Sequence, residues 1–207
     1  MGDKRALAER LYGLAGFDSP RLDLEQYPTP PDFAAHLLHL AALQGDIADQ
    51  TVVDLGTGTG VLALAAACRD PAQVLGLERD PTALAVAREN EGIVDPLRPV
   101  DWLLGDATRP PLCPETGTTV LMNPPFGARQ GSGGADRAFL ETAAKLATVS
   151  YSIHNAGSQA FVESFAADNG GEVTHAFAAE FEVERLYDHH EQERADLEVE
   201  VFRIDWE

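Results

Sequence analysis

The stretch VVDLGTGTGVLALA, residues 52–65, decides the fold class of this 207-residue chain. β-Branched residues lead into an acid, glycines then occupy alternate positions, and the chain continues in Ala and Leu. A short apolar strand, a glycine turn and a helix in this order are typical of a parallel α/β sheet. We therefore predict a strand over 51–55 and a helix over 61–68.

The same alternation continues along most of the chain. A helical N-terminal segment, residues 1–45, contains predicted helices over 4–15 and 32–43, separated by a proline-rich stretch. Further strands are predicted over 73–78, 101–106, 118–123 and 148–154, and further helices over 80–91, 135–147 and 158–170. The tail, residues 172–187 and 195–206, predicts an antiparallel hairpin. We predict one domain, residues 1–207, with a mainly parallel seven-stranded sheet.

The composition is strongly acidic. The chain has 34 acidic and 15 basic residues, a formal net charge of −19, and its only lysines are Lys4 and Lys145. Such a surface repels nucleic acid at ordinary salt, but it suits the cytoplasm of a halophile, where molar salt screens the repulsion. No apolar run is long enough for a membrane span and the N-terminus lacks a signal-peptide pattern, so we expect a cytoplasmic protein. Two distant cysteines, Cys68 and Cys113, predict no metal site.

The glycine turn predicts a ligand site. Gly56, Gly58 and Gly60 allow a tight turn and close approach of a ligand to the N–H groups of a helix start. Dinucleotide sites use the spacing G-x-G-x-x-G, whereas this turn has G-x-G-x-G after Asp54. That acid would repel a pyrophosphate but not an ammonium or sulfonium group. The pattern favours adenosylmethionine, with a nucleotide cofactor or a purely structural turn as alternatives.

Two more acids end the next two strands. Glu78 ends the second strand about twenty residues after the glycines, where it can accept hydrogen bonds from ribose hydroxyls. Asp106 ends the third strand, where it can accept one from an adenine amino group. The alternatives are that Glu78 caps the following turn and that Asp106 belongs to an ordinary Gly-Asp turn. Because carboxyl ends of parallel strands meet at one edge, we expect both acids to face one cleft with Asp54.

The segment Asn123-Pro124-Pro125-Phe126 follows the fourth strand beside the same cleft. An amino nitrogen conjugated to a ring or carbonyl is a poor nucleophile because its lone pair is delocalised. If the Asn123 side-chain oxygen and the Pro124 carbonyl accept its two hydrogens, the lone pair becomes available for attack. Phe126 can stack on the planar group. The segment indicates transfer to a planar amine, and the alternative is a rigid turn with a buried phenylalanine.

Several segments together resemble a known family. DLGTGTG, LER, GDA and NPPF are similar to the class I, Rossmann-like, adenosylmethionine-dependent methyltransferases, over most of residues 20–205. LEQYPTPPDFAAHLL, NPPFG followed by ADRAFL, SYSIHNAGS and DLEVEVFRI resemble more closely the small-subunit ribosomal RNA adenine-N6 methyltransferases, the family of the human methyltransferase-like protein five. EQYPT is the specific part, because NPPF alone also occurs in DNA and protein modifiers.

The resemblance implies a role for each matching residue. It implies S-adenosyl-L-methionine as cofactor and N6-methyladenosine in small-subunit ribosomal RNA as product. The implied cofactor-binding residues are Gln26, Thr29, Asp54, Gly56, Thr59, Val61, Glu78, Asp106 and Ala107. The residues implied to receive the adenine are Asn123, Pro124, Pro125 and Phe126. The resemblance also implies a small zinc-containing activator subunit as partner in a heterodimer.

Two features leave the substrate open. The loop ARQGSGGADR and the tail turn YDHHEQERADL lack lysines, so Arg129, Arg137, Arg185 and Arg194 remain to meet phosphate. A glutamine-N5 methyltransferase of a release factor is one alternative, since an amide presents the same planar NH2 group. A non-catalytic scaffold that binds the cofactor and an activator is another. We expect His154 to be a satisfied structural histidine, and the alternative is that it contacts the substrate.

Overall fold

The structure, a computed structural model, describes residues 4–113, 117–125, 134–184 and 194–206. These residues form six α-helices and seven strands. The helices are α1 Lys4–Leu11, α2 Pro31–Gln44, α3 Val61–Ala67, α4 Pro81–Val94, α5 Ala135–Leu146 and α6 Gln159–Asp168. The strands are β1 Thr51–Leu55, β2 Gln73–Glu78, β3 Val100–Leu104, β4 Thr118–Met122, β5 Val149–Asn155, β6 Gly171–Glu184 and β7 Arg194–Trp206.

The strands form one sheet in the order β3-β2-β1-β4-β5-β7-β6. Strands β1 to β5 pair in parallel, and β7 pairs antiparallel with both β5 and β6. The predicted Rossmann-like fold, with a mainly parallel seven-stranded sheet and a C-terminal antiparallel hairpin, is therefore confirmed. The assignment of residues 1–207 to one domain stays a prediction.

The register of the central strands creates a common edge. Leu55 of β1 lies opposite Leu77 of β2 and Met122 of β4. The residue after Leu55 begins the glycine turn. The residue after Leu77 is the last of β2, and the residue after Met122 is the first beyond β4. Because the three strands run in parallel, the segments that follow them emerge together at the carboxyl edge of the sheet.

Helices cover both faces of the sheet, and each face has its own core. On one face α1, α2 and α3 pack on the strands, and all seven residues of α3 are buried. On the other face α5 and α6 pack against β4 and the tail hairpin, with Phe139, Phe165 and Phe202 at the centre. Three of the seven α3 residues are large and four are alanines, which allows close approach to the sheet. This doubly wound arrangement holds the carboxyl edge in place from both sides.

Some predicted boundaries differ from the structure. The first helix ends at Leu11 and not at Ala15, because the Ala15 backbone pairs with a side chain. The Asn90 carboxamide accepts from the Ala15 N–H at 2.8 Å and donates to the Ala15 carbonyl at 3.0 Å. It also donates to the Thr59 carbonyl at 2.9 Å, so one buried side chain of α4 joins the N-terminal segment to the glycine turn. A short 3-10 helix, Leu22–Leu24, was not predicted.

A buried polar cluster lies on the sheet away from the carboxyl edge. The Asp46 carboxylate accepts from Arg203 Nε at 2.8 Å, from Arg203 Nη2 at 3.1 Å and from the Tyr151 hydroxyl at 2.6 Å. Arg203 Nη1 also donates to the Thr174 hydroxyl at 2.7 Å. Burial and the neighbouring Asp46 carboxylate raise the pKa of Tyr151, and the hydrogen bonds to Asp46 raise that of Arg203. We call Asp46, Tyr151 and Arg203 the Asp46 cluster.

Two bulk properties complete the description. None of the described helices has both the length and the apolar character to cross a membrane. Cys68 is half-buried and Cys113 is exposed. Burial raises the pKa of the Cys68 thiol.

Candidate active site

An open cavity of about 230 Å³ lies at the carboxyl edge of the sheet. Its walls come from the segment before α2, the glycine turn after β1, the ends of β2 and β3, the exit from β4, and α5. Eleven of the thirteen predicted site residues line it: Gln26, Thr29, Asp54, Gly56, Thr59, Val61, Glu78, Asp106, Ala107, Asn123 and Pro125. Pro124 is buried and does not line it, and Phe126 lies outside the described residues.

The glycine turn is shaped by close contacts on both sides. Gly58 has a φ of +56°, and a Cβ built there would lie 3.0 Å from the ring of Phe17. Gly56 has a φ of +71°, and a Cβ there would meet the Phe139 ring at the same distance. Side chains at either position would be strained by the backbone and would collide with a ring. The glycines therefore serve both the turn and the narrow wall of the cavity.

Asp54 is used by the turn itself. Its Oδ2 accepts from the Thr57 hydroxyl at 2.6 Å and from the Ala63 N–H at 3.0 Å. The residue is 1% exposed, and burial raises the pKa of its carboxyl to about 7. These hydrogen bonds of Asp54 hold the glycine turn against α3. Asp54 also lines the cavity. This internal role was not part of the prediction, which assigned Asp54 to the ligand.

Glu78 combines the two roles that the sequence left open. Its Oε1 accepts from the N–H groups of Arg79 and Asp80, each at 2.8 Å, and thus caps the following turn. Its Oε2 accepts from the Gly58 N–H at 2.9 Å, which ties β2 to the glycine turn. A carboxylate has about four acceptor sites, so three N–H donors leave room for a further donor from the cavity that it lines.

Asp106 faces the cavity beside Ala107. Its Oδ1 accepts from both the N–H and the hydroxyl of Thr108, at 2.9 and 2.8 Å. The Thr108 N–H is the main cause that lowers the pKa of Asp106, with support from Arg79 and Arg109. Asp106 therefore presents an anionic acceptor, as Glu78 does from the neighbouring strand. The two acceptors suit a ligand that carries hydroxyl and amino groups.

The segment before α2 covers the cavity from the N-terminal side. Gln26 Oε1 accepts from the Arg21 N–H at 2.8 Å, and Gln26 Nε2 donates to Asp80 Oδ2 at 2.8 Å. Asp80 also caps α4 by accepting from the Thr82 N–H at 2.9 Å, so this end of the segment is fixed to the first turn of α4. The Gln26 carboxamide is thus engaged within the chain, whereas the prediction placed it on the ligand.

Asn123 lines the cavity with a carboxamide that is only partly hydrogen-bonded among the described residues. Its Nδ2 donates to the Thr29 hydroxyl oxygen at 3.1 Å, while its Oδ1 is buried and has no hydrogen-bond partner among the described residues. Buried polar atoms are normally paired, and an unpaired one costs free energy. The Asn123 side-chain oxygen is therefore a candidate acceptor for a hydrogen-bond donor of a bound molecule.

Several side chains of the cavity wall were missed by the sequence analysis, among them Phe17, Tyr27, Arg79 and Phe139. Arg79 directly follows Glu78, so its position after a strand end could have indicated it. Phe17 and Phe139 lie far along the chain from the glycine turn that they touch, and no local pattern marks them. Packing alone brings them to the cavity.

His154 is buried beneath α5 and does not line the cavity. Its Nδ1 lies 4.0 Å from Asp136 Oδ2, and burial lowers the pKa of the imidazole to about 4. The expectation of a satisfied histidine is wrong for Nε2, which is buried without a hydrogen-bond partner in the described part of the chain.

The sequence and the fold match known proteins over nearly the whole chain. Residues 29–150 match the family described as methyltransferase small domain. The rRNA N(6)-adenosine-methyltransferase Mettl5 of Drosophila melanogaster is 34% identical over 206 residues, which cover 97% of this chain and 95% of that protein. The solved structure of PH1948 from Pyrococcus horikoshii has 35% identity and a TM-score of 0.87, and the match covers 100% of this chain and 98% of that one.

A shorter similarity reaches a protein modifier. The release factor glutamine methyltransferase of Mycolicibacterium smegmatis is 38% identical over 130 residues, which are 59% of this chain and 44% of that protein. The match to the family over more than half of the chain and the match to the Drosophila enzyme over nearly all of it agree with the cavity at the sheet edge. The chain therefore belongs to the methyltransferase small domain family, and it is a methyltransferase with S-adenosylmethionine as its cofactor.

Proposed function

We propose that this enzyme methylates N6 of an adenosine in small-subunit ribosomal RNA. The observation that carries the proposal is the Asn123 side-chain oxygen, which is buried at the cavity wall and has no partner among the residues that the structure describes. An acceptor in that position suits an exocyclic amine, because such an amine brings N–H groups that need acceptors. The similarity to the Drosophila rRNA N(6)-adenosine-methyltransferase over 97% of the chain supports adenine in ribosomal RNA as the substrate.

The cofactor supplies an electrophilic methyl group. The residues of the chain then act on the amine: Asn123 Oδ1 accepts one of its hydrogens, and the Pro124 carbonyl accepts the other. These two hydrogen bonds draw the nitrogen towards tetrahedral geometry and localise its lone pair, which favours the transition state over the bound substrate. Phe126 stacks on the adenine and holds its plane. The extra proton leaves to water after transfer, so no strong general base is required.

The cofactor occupies the rest of the cavity in this proposal. Glu78 accepts from the ribose hydroxyls with its remaining capacity, and Asp106 with Ala107 holds the adenine end. Gly56, Thr59 and Val61 line the methionine end. Gln26 and Thr29 close the cavity from the N-terminal side, and Asp54 supports the glycine turn from beneath. The bonds from Glu78 to the Gly58 N–H and from Asp54 to the turn support this placement, because they fix the acceptors before a ligand binds.

Contacts with RNA remain part of the proposal. Arg137 lies at the start of α5 near the cavity, but its Nε donates to Glu141 at 3.3 Å and its guanidinium lies 5.3 Å from the Phe165 ring centroid. Arg129 and Arg185 fall outside the described residues, as does the side chain of Arg194. A cytoplasm with molar salt reconciles an RNA substrate with a net charge of −19, because salt screens the repulsion.

We also propose a small zinc-containing activator as the partner in a heterodimer. Strand β3 is the edge strand of the sheet, and Leu104 at its end is 61% exposed. Co-expression followed by size-exclusion chromatography tests this part on its own. Elution of the chain as a monomer in the presence of the activator would refute the heterodimer and leave the methylation proposal in place.

A methyl-transfer assay in molar KCl with labelled S-adenosylmethionine tests the proposed function. Small ribosomal subunits that lack the modification and a release factor are offered separately, each with and without the activator. We expect label as N6-methyladenosine in the RNA, identified by nucleoside mass spectrometry. Label on glutamine would favour the release factor alternative, for which the 38% identity to the mycobacterial enzyme speaks. Absence of label on both substrates would favour a non-catalytic scaffold.

A further inference from the structure

A side-chain carboxamide can face its surroundings in two ways that have nearly the same shape. With Oδ1 towards the cavity, Asn123 offers an acceptor to an incoming amine. With Nδ2 towards the cavity it offers a donor, which opposes the N–H groups of the amine. A catalytic role for Asn123 therefore requires a carboxamide that is held in place by its neighbours.

Thr29 is the side chain in contact with the other half of this carboxamide. Its hydroxyl oxygen lies 3.1 Å from Asn123 Nδ2, and the residue is 9% exposed. The bond joins positions that are 94 residues apart, from the N-terminal segment to the exit of β4. With Nδ2 bonded to Thr29, Oδ1 is buried and has no hydrogen-bond partner within the described part of the chain.

The backbone on both sides of Thr29 is restricted. Pro28 and Pro30 flank it in the sequence, so φ is fixed on either side. The Pro30 carbonyl accepts from the Ala34 N–H at 2.9 Å, which joins the segment to the first turn of α2. Upstream, Gln26 anchors the segment to Asp80 at the start of α4. Thr29 is thus presented to Asn123 from a segment that is held at both ends.

We propose that Thr29 is a positioning residue, which holds the Asn123 carboxamide in place at the exit of β4, where the reacting amine would meet it. This inference rests on the proposed function, because it assumes that Asn123 accepts a hydrogen of the substrate. It gives the threonine of the EQYPT segment a task in turnover beyond covering the cofactor. The same segment that lines the cofactor cavity then also prepares the residue that receives the substrate.

Kinetics of three variants test the inference. Thr29→Val keeps the shape and removes the hydroxyl, Thr29→Ser keeps the hydroxyl, and Thr142→Val removes a buried hydroxyl that donates to Ala138 within α5. We expect kcat to fall about tenfold or more in Thr29→Val, with unchanged KM for the ribosomal subunits and unchanged Kd for S-adenosylmethionine. Thr29→Ser should restore most of the turnover, and Thr142→Val should match the wild type. A Kd that rises with kcat unchanged would overturn the inference and make Thr29 a cofactor contact only.

A spectroscopic measurement tests the hydrogen bond between Thr29 and the Asn123 carboxamide without any substrate. In the 15N-labelled protein, the side-chain NH2 signals of Asn123 are those that disappear in Asn123→Ala. We expect the proton that is bonded to Thr29 to move upfield in Thr29→Val and to keep its position in Thr29→Ser. Signals that are the same in Thr29→Val and in the wild type would overturn the inference. A wild-type protein that methylates no adenosine would instead refute the proposed function, and the NMR result would still decide whether Thr29 holds the carboxamide.

Discussion

Two buried polar groups of this protein are satisfied to very different degrees. In the Asp46 cluster, both carboxylate oxygens accept hydrogen bonds, and the guanidinium and the hydroxyl opposite them donate. At the cavity, Asn123 has one bonded nitrogen and one buried oxygen that no described residue pairs with. A polar cluster with all its bonds made contributes to the fold. A cluster with one bond left open keeps a position for a ligand at some cost to stability.

The comparison leads to separable expectations. Changes at the cavity should affect turnover or ligand affinity more than the free energy of unfolding. Changes at the Asp46 cluster should do the reverse, because that cluster does not line the cavity.

The largest effect is expected from Asn123→Ala. The variant lacks the acceptor for the amine, so we expect kcat to fall by about 100-fold or more, as for the loss of one preorganised hydrogen-bonding group. The Kd for S-adenosylmethionine by calorimetry should stay within about twofold, since a single lost contact at the edge of its site is worth little. Asn169→Ala, which removes a carboxamide at the end of α6, is the matched control. Turnover equal in the two variants would refute the role of Asn123.

Arg203→Met tests the other half of the comparison. It leaves the Asp46 carboxylate buried without its cation, and we expect a loss of about 3 kcal/mol in the free energy of unfolding. Denaturant titration in molar KCl measures this loss. Arg5→Met is the control, because the Arg5 pair with Glu9 is largely exposed and such pairs contribute about 0 to 1 kcal/mol. The turnover of folded Arg203→Met should equal that of the wild type, and a loss of turnover at full folding would break the comparison.

We expect an effect of intermediate size from Glu78→Gln, because Glu78 both lines the cavity and accepts hydrogen bonds from the neighbouring turns. Glutamine keeps the shape, but its NH2 group must face either the cavity or one of the N–H groups that Glu78 accepts. We expect the Kd for S-adenosylmethionine to rise about tenfold, which corresponds to about 1.4 kcal/mol. Calorimetry measures it, with Glu89→Gln on the exposed face of α4 as control. Equal affinity in both variants would remove Glu78 from the cofactor site.

A further effect is expected in the pH dependence of stability. Burial raises the pKa of Asp54 from 3.8 to about 7, so the folded protein binds this proton more tightly than the unfolded chain. The contribution of this group is present below pH 3.8 and is lost as the pH rises towards 7. In Asp54→Asn, the free energy of unfolding should fall less between pH 4 and 7 than in the wild type. Parallel curves for the two proteins would show that Asp54 does not titrate in this window.

Much of the fold was predictable because the signals are local. Apolar runs of strand length, Asp80 before Pro81 at the start of α4, and the glycine turn each specify their own conformation within a few residues. The first helix was predicted too long because the Asn90 side chain that binds Ala15 lies 75 residues away. The candidate site was predictable to the extent that its residues follow strand ends. Phe17 and Phe139 have no such marker.

The sequence by itself determined the order of strands and helices, the glycine turn, and the set of acids and the asparagine that follow the parallel strands. Hydrophobic period and turn chemistry act over a few residues, so they can be read along the chain. The tertiary structure alone decided which of these groups already have partners. It placed Thr29 on one half of the Asn123 carboxamide and Glu78 on the Gly58 N–H, and within residues 4–113, 117–125, 134–184 and 194–206 it left Asn123 Oδ1 unpaired. Such pairings depend on strand register and helix packing between distant segments, which no local pattern records.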